Sequence, residues 1–467
     1  MTTQVIIENV HIAPVAGPEI ERGYLRIEGD RIAALGPMSE LAADGSATRI
    51  DGRIDGRGCL ATPGLVNTHH HLYQWATQGL AQDATLFEWL SALYQVWAAM
   101  DAEVVHGAAR AALGWLALSG CTLTSDHHYL FPKGRGELFA AEVEAARELG
   151  LRFHPARGSM DRGRSKGGLP PDIVVETMDE ALAATQEAID AYHDPSFSSM
   201  LRVAVGPCSP FTVSRELMTE AAALARAAGV RLHTHLAETV DEDEHCLKQF
   251  GLRPVDYMAE LGWLGPDVWF AHSVHLSDED IARFAATGTG SAHCPSSNGR
   301  LGAGIARVAE MLRQGANVGL GVDGSASSEL TPLAGEMRQA LLMQRARYGP
   351  AALSARQALE LGTLGGARNL GRQDELGTLE PGKLADIALW RVDGPFTSAV
   401  ADPVCALVFG PQPPLARLLV GGRTVVEDGE LRTASQDEVG RAGVAARDRL
   451  LARAREQGFT VRTEVHG

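Results

Sequence analysis

A chain of 467 residues, 45% hydrophobic and 21% charged, has a globular enzyme's composition and room for one large barrel or two to three smaller domains. Its formal charge of −16, from 58 acidic against 42 basic residues, repels phosphate backbones and anionic lipid, so no nucleic acid and no membrane is expected as a partner. The start "MTTQVIIENVHIAP" lacks the basic and apolar regions of a secretory leader, and the six scattered cysteines form no CxxC pair, so a cytoplasmic, reducing location is expected.

The first elements in chain order are β-type alternations, "QVIIENVHI", "GYLRIEGDRIAAL" and "RIDGRGCLATPG", punctuated by Gly, Pro and Asp. The far end repeats the pattern in "LADIALWRV" and "ARLLVGGRTVVEDGEL", followed by an amphipathic stretch near 437–457 that should be helical. Two β-rich ends around a long middle predict one small β-sandwich domain assembled from both termini, residues 1–59 and 372–467.

Between them, residues 60–371 alternate short β-branched or apolar runs with helix-like stretches. The runs are "LATPGLVNTHHH", "CTLTSDHHY", "LRFHPARG", "LRVAVGP", "VRLHTHLAE", "VWFAHSV", "TGSAHC" and "NVGLGVDGS". Eight such units over about 310 residues predict a (β/α)₈ barrel, a TIM-type α/β fold whose chemistry gathers at the C-terminal ends of its strands.

Those ends carry ligand-type residues: His69 and His71, His127 and His128, Arg157, His235 with Glu238, His272, and Asp323. Strand alternation places His69 and His71 on one face and His70 on the other. Two imidazoles so spaced can reach one divalent ion at ~2.0–2.1 Å. In "LHTHLAE", His235 lies nearer the strand end and is the better ligand, while His233, one layer deeper, reads as a hydrogen-bonded core histidine. Asp323 sits among glycines that keep its carboxylate accessible. Three neutral histidines and one aspartate would hold one zinc ion and leave a position for water, whose pKa falls toward ~7. A second ion is not expected: binuclear barrel hydrolases commonly bridge two ions with a carboxylated lysine on the fourth strand, and Lys133 and Lys166, the only lysines between residues 72 and 233, fall in polar loops.

In order and spacing, "PGLVNTHHH", "HTHLAE", "AHSVH" and "GVDGSAS" resemble the amidohydrolase superfamily, in particular its mononuclear zinc deaminases and chlorohydrolases of purine, pterin and triazine rings. The resemblance covers essentially the whole chain, with "LGTLEPGKLADIALW" similar to the family's return into the terminal domain. It implies that His69, His71, His235 and Asp323 bind one zinc ion per subunit. It further implies that Glu238 protonates a ring nitrogen and shuttles a proton to the leaving group. His272 would orient the attacking hydroxide and stabilise the tetrahedral adduct, and Asp323 would take a proton from the water. The expected partner is a small heterocyclic substrate, and the expected assembly a homo-oligomer, a dimer or larger.

Substrate contacts follow less directly. Gln74 is placed to hydrogen-bond a purine or pterin edge, or is an exposed loop amide. Arg157 matches an arginine that such enzymes aim at the substrate. Glu88, in "LFEWL", falls where nucleoside deaminases hold ribose hydroxyls, or is a surface charge. His127 or His128 would read the ring, one of them facing away; His128 is the expected contact. Cys208 in "GPCSP" and Leu169 in "KGGLPP" depart from the adenosine-type pattern and argue against a ribosylated substrate. Within the family the motif set most resembles 8-oxoguanine deaminases, which convert 8-oxoguanine to uric acid and ammonia, although "SASSEL" departs from their usual loop after the eighth strand. Isoxanthopterin or guanine deamination and triazine hydrolysis are the alternatives of the same chemistry, and a non-catalytic barrel is the alternative of another class. The H-x-E and P-C-x-x-C pair of nucleic-acid base deaminases is missing from the sequence. Residues 159–171, rich in Gly and charge, read either as a mobile lid or as a plain connection.

Overall fold

A computed structural model describes residues 4–41 and 52–466; residues 1–3, 42–51 and 467, which fall in the stretches expected to build the terminal domain, lie outside them. Eight parallel strands stand side by side in chain order: β1 (Leu65–Asn67), β2 (Cys121–His128), β3 (Arg152–Ser159), β4 (Ala204–Pro207), β5 (Leu232–Leu236), β6 (Val268–His272), β7 (Gly290–His293) and β8 (Asn317–Leu320). Each falls within a run expected from the sequence, except that β3 extends one residue past its run, to Ser159. Their residues are buried almost throughout, as parallel strands are when helices cover one face and packed side chains fill the other.

The ring closes just past the ends of β1 and β8. The Thr68 N–H and hydroxyl both donate to Leu320 O (2.9 and 2.8 Å), and Val322 N–H donates to Asn67 Oδ1 (2.9 Å). The architecture is therefore the expected (β/α)₈ barrel. One detail differs: β1 has only three residues, and the three histidines lie on the segment immediately beyond it. The chain changes sheets at Gly64, whose N–H donates to Asp386 O (2.9 Å) while Leu65 N–H donates to Gly120 O (2.8 Å). A Cβ on Gly64 would lie 2.2 Å from a Thr122 methyl, so only glycine allows this crossing.

Among the described residues the second sheet has nine strands, drawn from both ends of the chain. Cys59–Pro63 joins the two contributions, pairing antiparallel with Ile387–Arg391 and parallel with Gln4–Ile12. Ile7, Leu25, Ile32, Ile387, Leu389 and Leu419 form part of an apolar cluster belonging to this sheet. A buried ion pair ties it to the barrel: the Arg152 guanidinium in β3 donates to both Asp386 oxygens (2.9 and 3.0 Å) and to Ser198 O and Ser199 O. Asp386→Ala strands that buried cation and is expected to destabilise the fold by about 3–5 kcal/mol, read as a lowered urea midpoint at unchanged slope.

Helices α1 (Leu86–Trp97) and α2 (Ala102–Leu118) follow β1, and α3 (Leu138–Leu149) follows β2; of the three, α1 lines the mouth. The expected C-terminal helix spans Gln436–Glu456 and packs on α2, where Gly443 brings its backbone against Ala111 and Arg449 pairs with Asp101 (2.8 Å). Among the described residues no helix is long and apolar enough to cross a membrane.

Candidate active site

The orientation of each histidine ring at the mouth follows from what lies behind it. A backbone carbonyl can only accept, so a ring nitrogen facing one carries the proton. His71 Nδ1 faces His127 O (2.7 Å) and His235 Nδ1 faces Cys208 O (2.6 Å), which leaves both Nε2 atoms as bare lone pairs. His233 Nδ1 faces Trp269 O (2.9 Å), so His233 Nε2 accepts from His69 Nδ1 (2.8 Å) and His69 Nε2 is bare as well. The three lone pairs converge with a carboxylate: His71 Nε2 lies 3.2 Å from His235 Nε2, and Asp323 Oδ1 lies 3.3 Å from His69 Nε2 and 3.4 Å from His71 Nε2. His69 Nε2 is buried without a hydrogen-bond partner.

Burial keeps these rings neutral, holding His69 well below its ordinary pKa, His71 at about 4 and His235 at about 3. Burial pushes the Asp323 carboxyl the other way, yet the facing His69, with His272 and His71, holds it well below the usual carboxylate range. Neutral imidazole nitrogens and an ionised carboxylate aimed at one point are the donor set of a zinc-type ion. His233 is thus more than the core residue expected from its depth, because it fixes the tautomer of His69. His233→Ala is expected to weaken zinc affinity by about 10–100-fold in chelator competition.

Asp323 and His272 are aimed by unusual backbone. Both have positive φ (62° and 73°), as does Ala237 (52°) beside Glu238, and such strain persists only where the surroundings over-determine it. Asp323 Oδ2 accepts from the Ser297 and Ser327 hydroxyls (2.6 and 3.0 Å), and its Oδ1 accepts from Gly324 N–H (2.7 Å). His272 Nδ1 donates to Asn298 Oδ1 (3.0 Å), and its Nε2 lies 3.6 Å from Glu238 Oε2 and 4.0 Å from Asp323 Oδ2. Burial works to lower the His272 pKa, but the facing Glu238 and Asp323 carboxylates raise it overall. Burial lifts Glu238 to about 7, with Asp323 adding to the rise and His272 opposing it. Behind it, Glu242 accepts from the backbone N–H groups of Ala237 and Glu238 (both 3.0 Å), a support that sequence reading missed.

An open cavity meets these groups, with His71, His235, Glu238, His272 and Asp323 on its floor. Its walls are the α1 side chains Leu86, Trp89, Leu90 and Tyr94, with Phe211 and Leu301; Gln74, Tyr129, Cys208 and Ser209 supply polar atoms. Gln74 is fully buried, and neither its amide oxygen nor its nitrogen has a partner, so the exposed-amide reading fails. A Cβ on Gly324 would lie 1.8 Å from Gln74 Oε1, so glycine in the loop after β8 makes room for this amide.

Three expected contacts are elsewhere. Arg157 does not line the cavity: its guanidinium is clamped by both Glu176 oxygens (2.7 Å each) and stacks 3.8 Å above Phe131. Glu88 also lies outside it, 42% exposed, because its carboxylate closes a capping box with Thr85 at the start of α1 and pairs with His466. His128 points out of the barrel toward Glu142 on α3 (2.8 Å), and His127 is the one that faces inward, its ring 4.8 Å from that of His235. Residues 159–171 contribute nothing to the cavity wall, whose cover is α1.

The barrel and its converging histidine–aspartate centre, with an acid and a second histidine beside it, define a metal-dependent hydrolase of the (β/α)₈ class. Residues 60–425 match the amidohydrolase family model. The chain belongs to the amidohydrolase family and, as such, hydrolyses carbon–nitrogen bonds in cyclic compounds. It is 44% identical to 8-oxoguanine deaminase of Pseudomonas aeruginosa, over 87% of this chain and 90% of that one. It is 38% identical to isoxanthopterin deaminase of an unknown prokaryotic organism, covering 91% and 90%. Among solved structures, zinc-complexed atrazine chlorohydrolase TrzN from Arthrobacter aurescens TC1 superposes with a TM-score of 0.88 at 34% identity, covering 95% and 100%.

Proposed function

We propose that this enzyme is a zinc-dependent deaminase of a purine-like ring, with 8-oxoguanine as the preferred substrate, uric acid and ammonia as the products, and one ion per chain. The observation that carries the reading is Gln74: a buried amide with both hydrogen-bonding atoms free, at the edge of a cavity whose floor holds Glu238, His272 and Asp323. An amide that donates and accepts in one plane suits the lactam and ring N–H edge of an oxidised purine. The 44% identity to an 8-oxoguanine deaminase supports that choice of ring.

His69, His71, His235 and Asp323 would hold the zinc. When bound, zinc supplies Lewis acidity, bringing the pKa of water down to about 7. Asp323, kept ionised, accepts the proton that the attacking water gives up. Glu238, lifted to about 7, is poised to donate its proton to the ring nitrogen next to the amine-bearing carbon, to take up the hydroxyl proton of the adduct and to pass that proton to the departing amine. His272, held by Asn298 and with its pKa raised by its two carboxylate neighbours, turns Nε2 toward the oxygen on which negative charge develops. The apolar α1 wall keeps bulk water off these groups. Neither lysine left over from the binuclear pattern lies in the cavity wall: Lys133 faces Glu180 and Lys166 donates to Asp161 O.

The test is ammonia release across 8-oxoguanine, guanine, isoxanthopterin and amino-hydroxytriazines, with zinc counted by elemental analysis. The expected result is the highest kcat/KM for 8-oxoguanine and one ion per chain. A higher value for the pterin or a triazine overturns the substrate, and two ions per chain overturn the mononuclear centre.

A further inference from the structure

On the outer side of β2, away from the cavity, Asp126, His128 and Glu142 meet in a cluster with no exposure to solvent. One oxygen or nitrogen from each lies within 4.8 Å of the others. The connections are directional. Leu72 N–H donates to Asp126 Oδ1 (2.7 Å). His128 Nε2 faces Leu130 O (2.8 Å) and so carries the proton, which leaves Nδ1 as a lone pair pointing at Glu142 Oε1 (2.8 Å). A lone pair and an ionised carboxylate oxygen repel at that distance, so a proton belongs between them. The Asp126 and Glu142 carboxyls meet in this cluster, and neither Asp126 Oδ2 nor Glu142 Oε2 accepts a hydrogen bond from a donor among the described residues. A second proton belongs there.

We propose that Asp126 and Glu142 are both carboxylic acids in the working enzyme, forming with neutral His128 a buried relay that positions the two cavity segments at its ends. Asp126 O–H donates to Glu142, Glu142 O–H donates to His128 Nδ1, and His128 Nε2–H donates to Leu130 O. Every polar atom is then satisfied and the net charge is zero, whereas two ionised carboxylates in the same place would bury two uncompensated charges. The surroundings agree: the Tyr73 and Phe131 rings lie 5.2 and 4.8 Å from that of His128. The charges His128 feels from Arg157 and Glu176 are paired with each other. Burial pushes Asp126 well above its ordinary value and Glu142 up to about 8, and holds His128 down at about 4.

One end of the relay grips Leu72, the first residue of the 3₁₀ turn Leu72–Thr77 that carries Gln74. The other end grips Leu130, next to the cavity residue Tyr129. The three residues touch no substrate and act as positioning residues for the two that face it.

Amides decide the matter, because Asn and Gln supply the acceptor and the donor of a protonated carboxyl, with one further N–H. Asp126→Asn and Glu142→Gln are expected to keep Tm, zinc content and KM close to the parent protein. Asp126→Ala and Glu142→Leu, which leave partners stranded, are expected to lower Tm and to raise KM about 5- to 100-fold, with kcat changed less. Amide variants as damaged as the apolar ones would overturn the protonated relay. A second bound metal ion, lost on Glu142→Gln, would replace it with a cation site, and unchanged KM in the apolar variants would remove the positioning role. The KM readout rests on the ring-deaminase reading. The Tm ranking does not, so a protein inactive on every ring would refute that reading while the relay was still decided.

Discussion

Glu238→Gln is expected to retain zinc in full and to lose about 10²–10⁴-fold in kcat for ammonia release. Glu238 is buried, lies outside the set of converging lone pairs, and faces His272 across 3.6 Å at the cavity floor. The amide fills the same space and keeps the contact with His272, but it cannot give up and regain a proton. Because burial has already lifted the carboxyl to about 7, the native group exchanges its proton readily at neutral pH, and that capacity alone is removed. Elemental analysis beside single-turnover assays checks both halves. Turnover within a few-fold of the parent protein would remove Glu238 from the proton path, and zinc loss would place it among the ligands.

His69→Asn or His71→Asn is expected to cost more metal affinity than the 10–100-fold typical of a lost supporting partner, while His70→Asn keeps its metal. The three residues are adjacent, and all three rings are buried and neutral, so neither position nor burial separates them. Direction does. His69 and His71 turn bare Nε2 atoms toward Asp323, while His70 feels that carboxylate only through space and contributes its backbone carbonyl to His127 N–H (2.7 Å). Equal zinc loss in all three variants would show that folding of the segment, rather than ligation, is what each histidine supports.

Much of this was legible in the residues. Eight strand-like runs, and ligand-type side chains at their ends, are patterns of period and chemistry carried by the chain itself. The Thr85–Glu88 capping box, a T-x-x-E pair ahead of an apolar helix that the sequence reading did not use, explains why Glu88 stays at the surface. Arg157 was not legible: its partner Glu176 lies 19 residues away in a loop, and an arginine at a strand end looks the same whether it meets a substrate or a carboxylate of its own chain. The choice between His127 and His128 was open for a related reason. Alternation says that the two diverge, but which one faces inward depends on how β2 is set between β1 and β3.

The sequence by itself determined the barrel, the terminal sheet drawn from both ends and the donor types of the centre, because periodicity and residue chemistry are local properties. The tertiary structure decided which lone pairs are free, which wall closes the cavity and which buried acids hold their protons. Those depend on carbonyls and side chains brought from distant strands: His127 O behind His71, Cys208 O behind His235, α1 over the mouth, and Glu142 against His128.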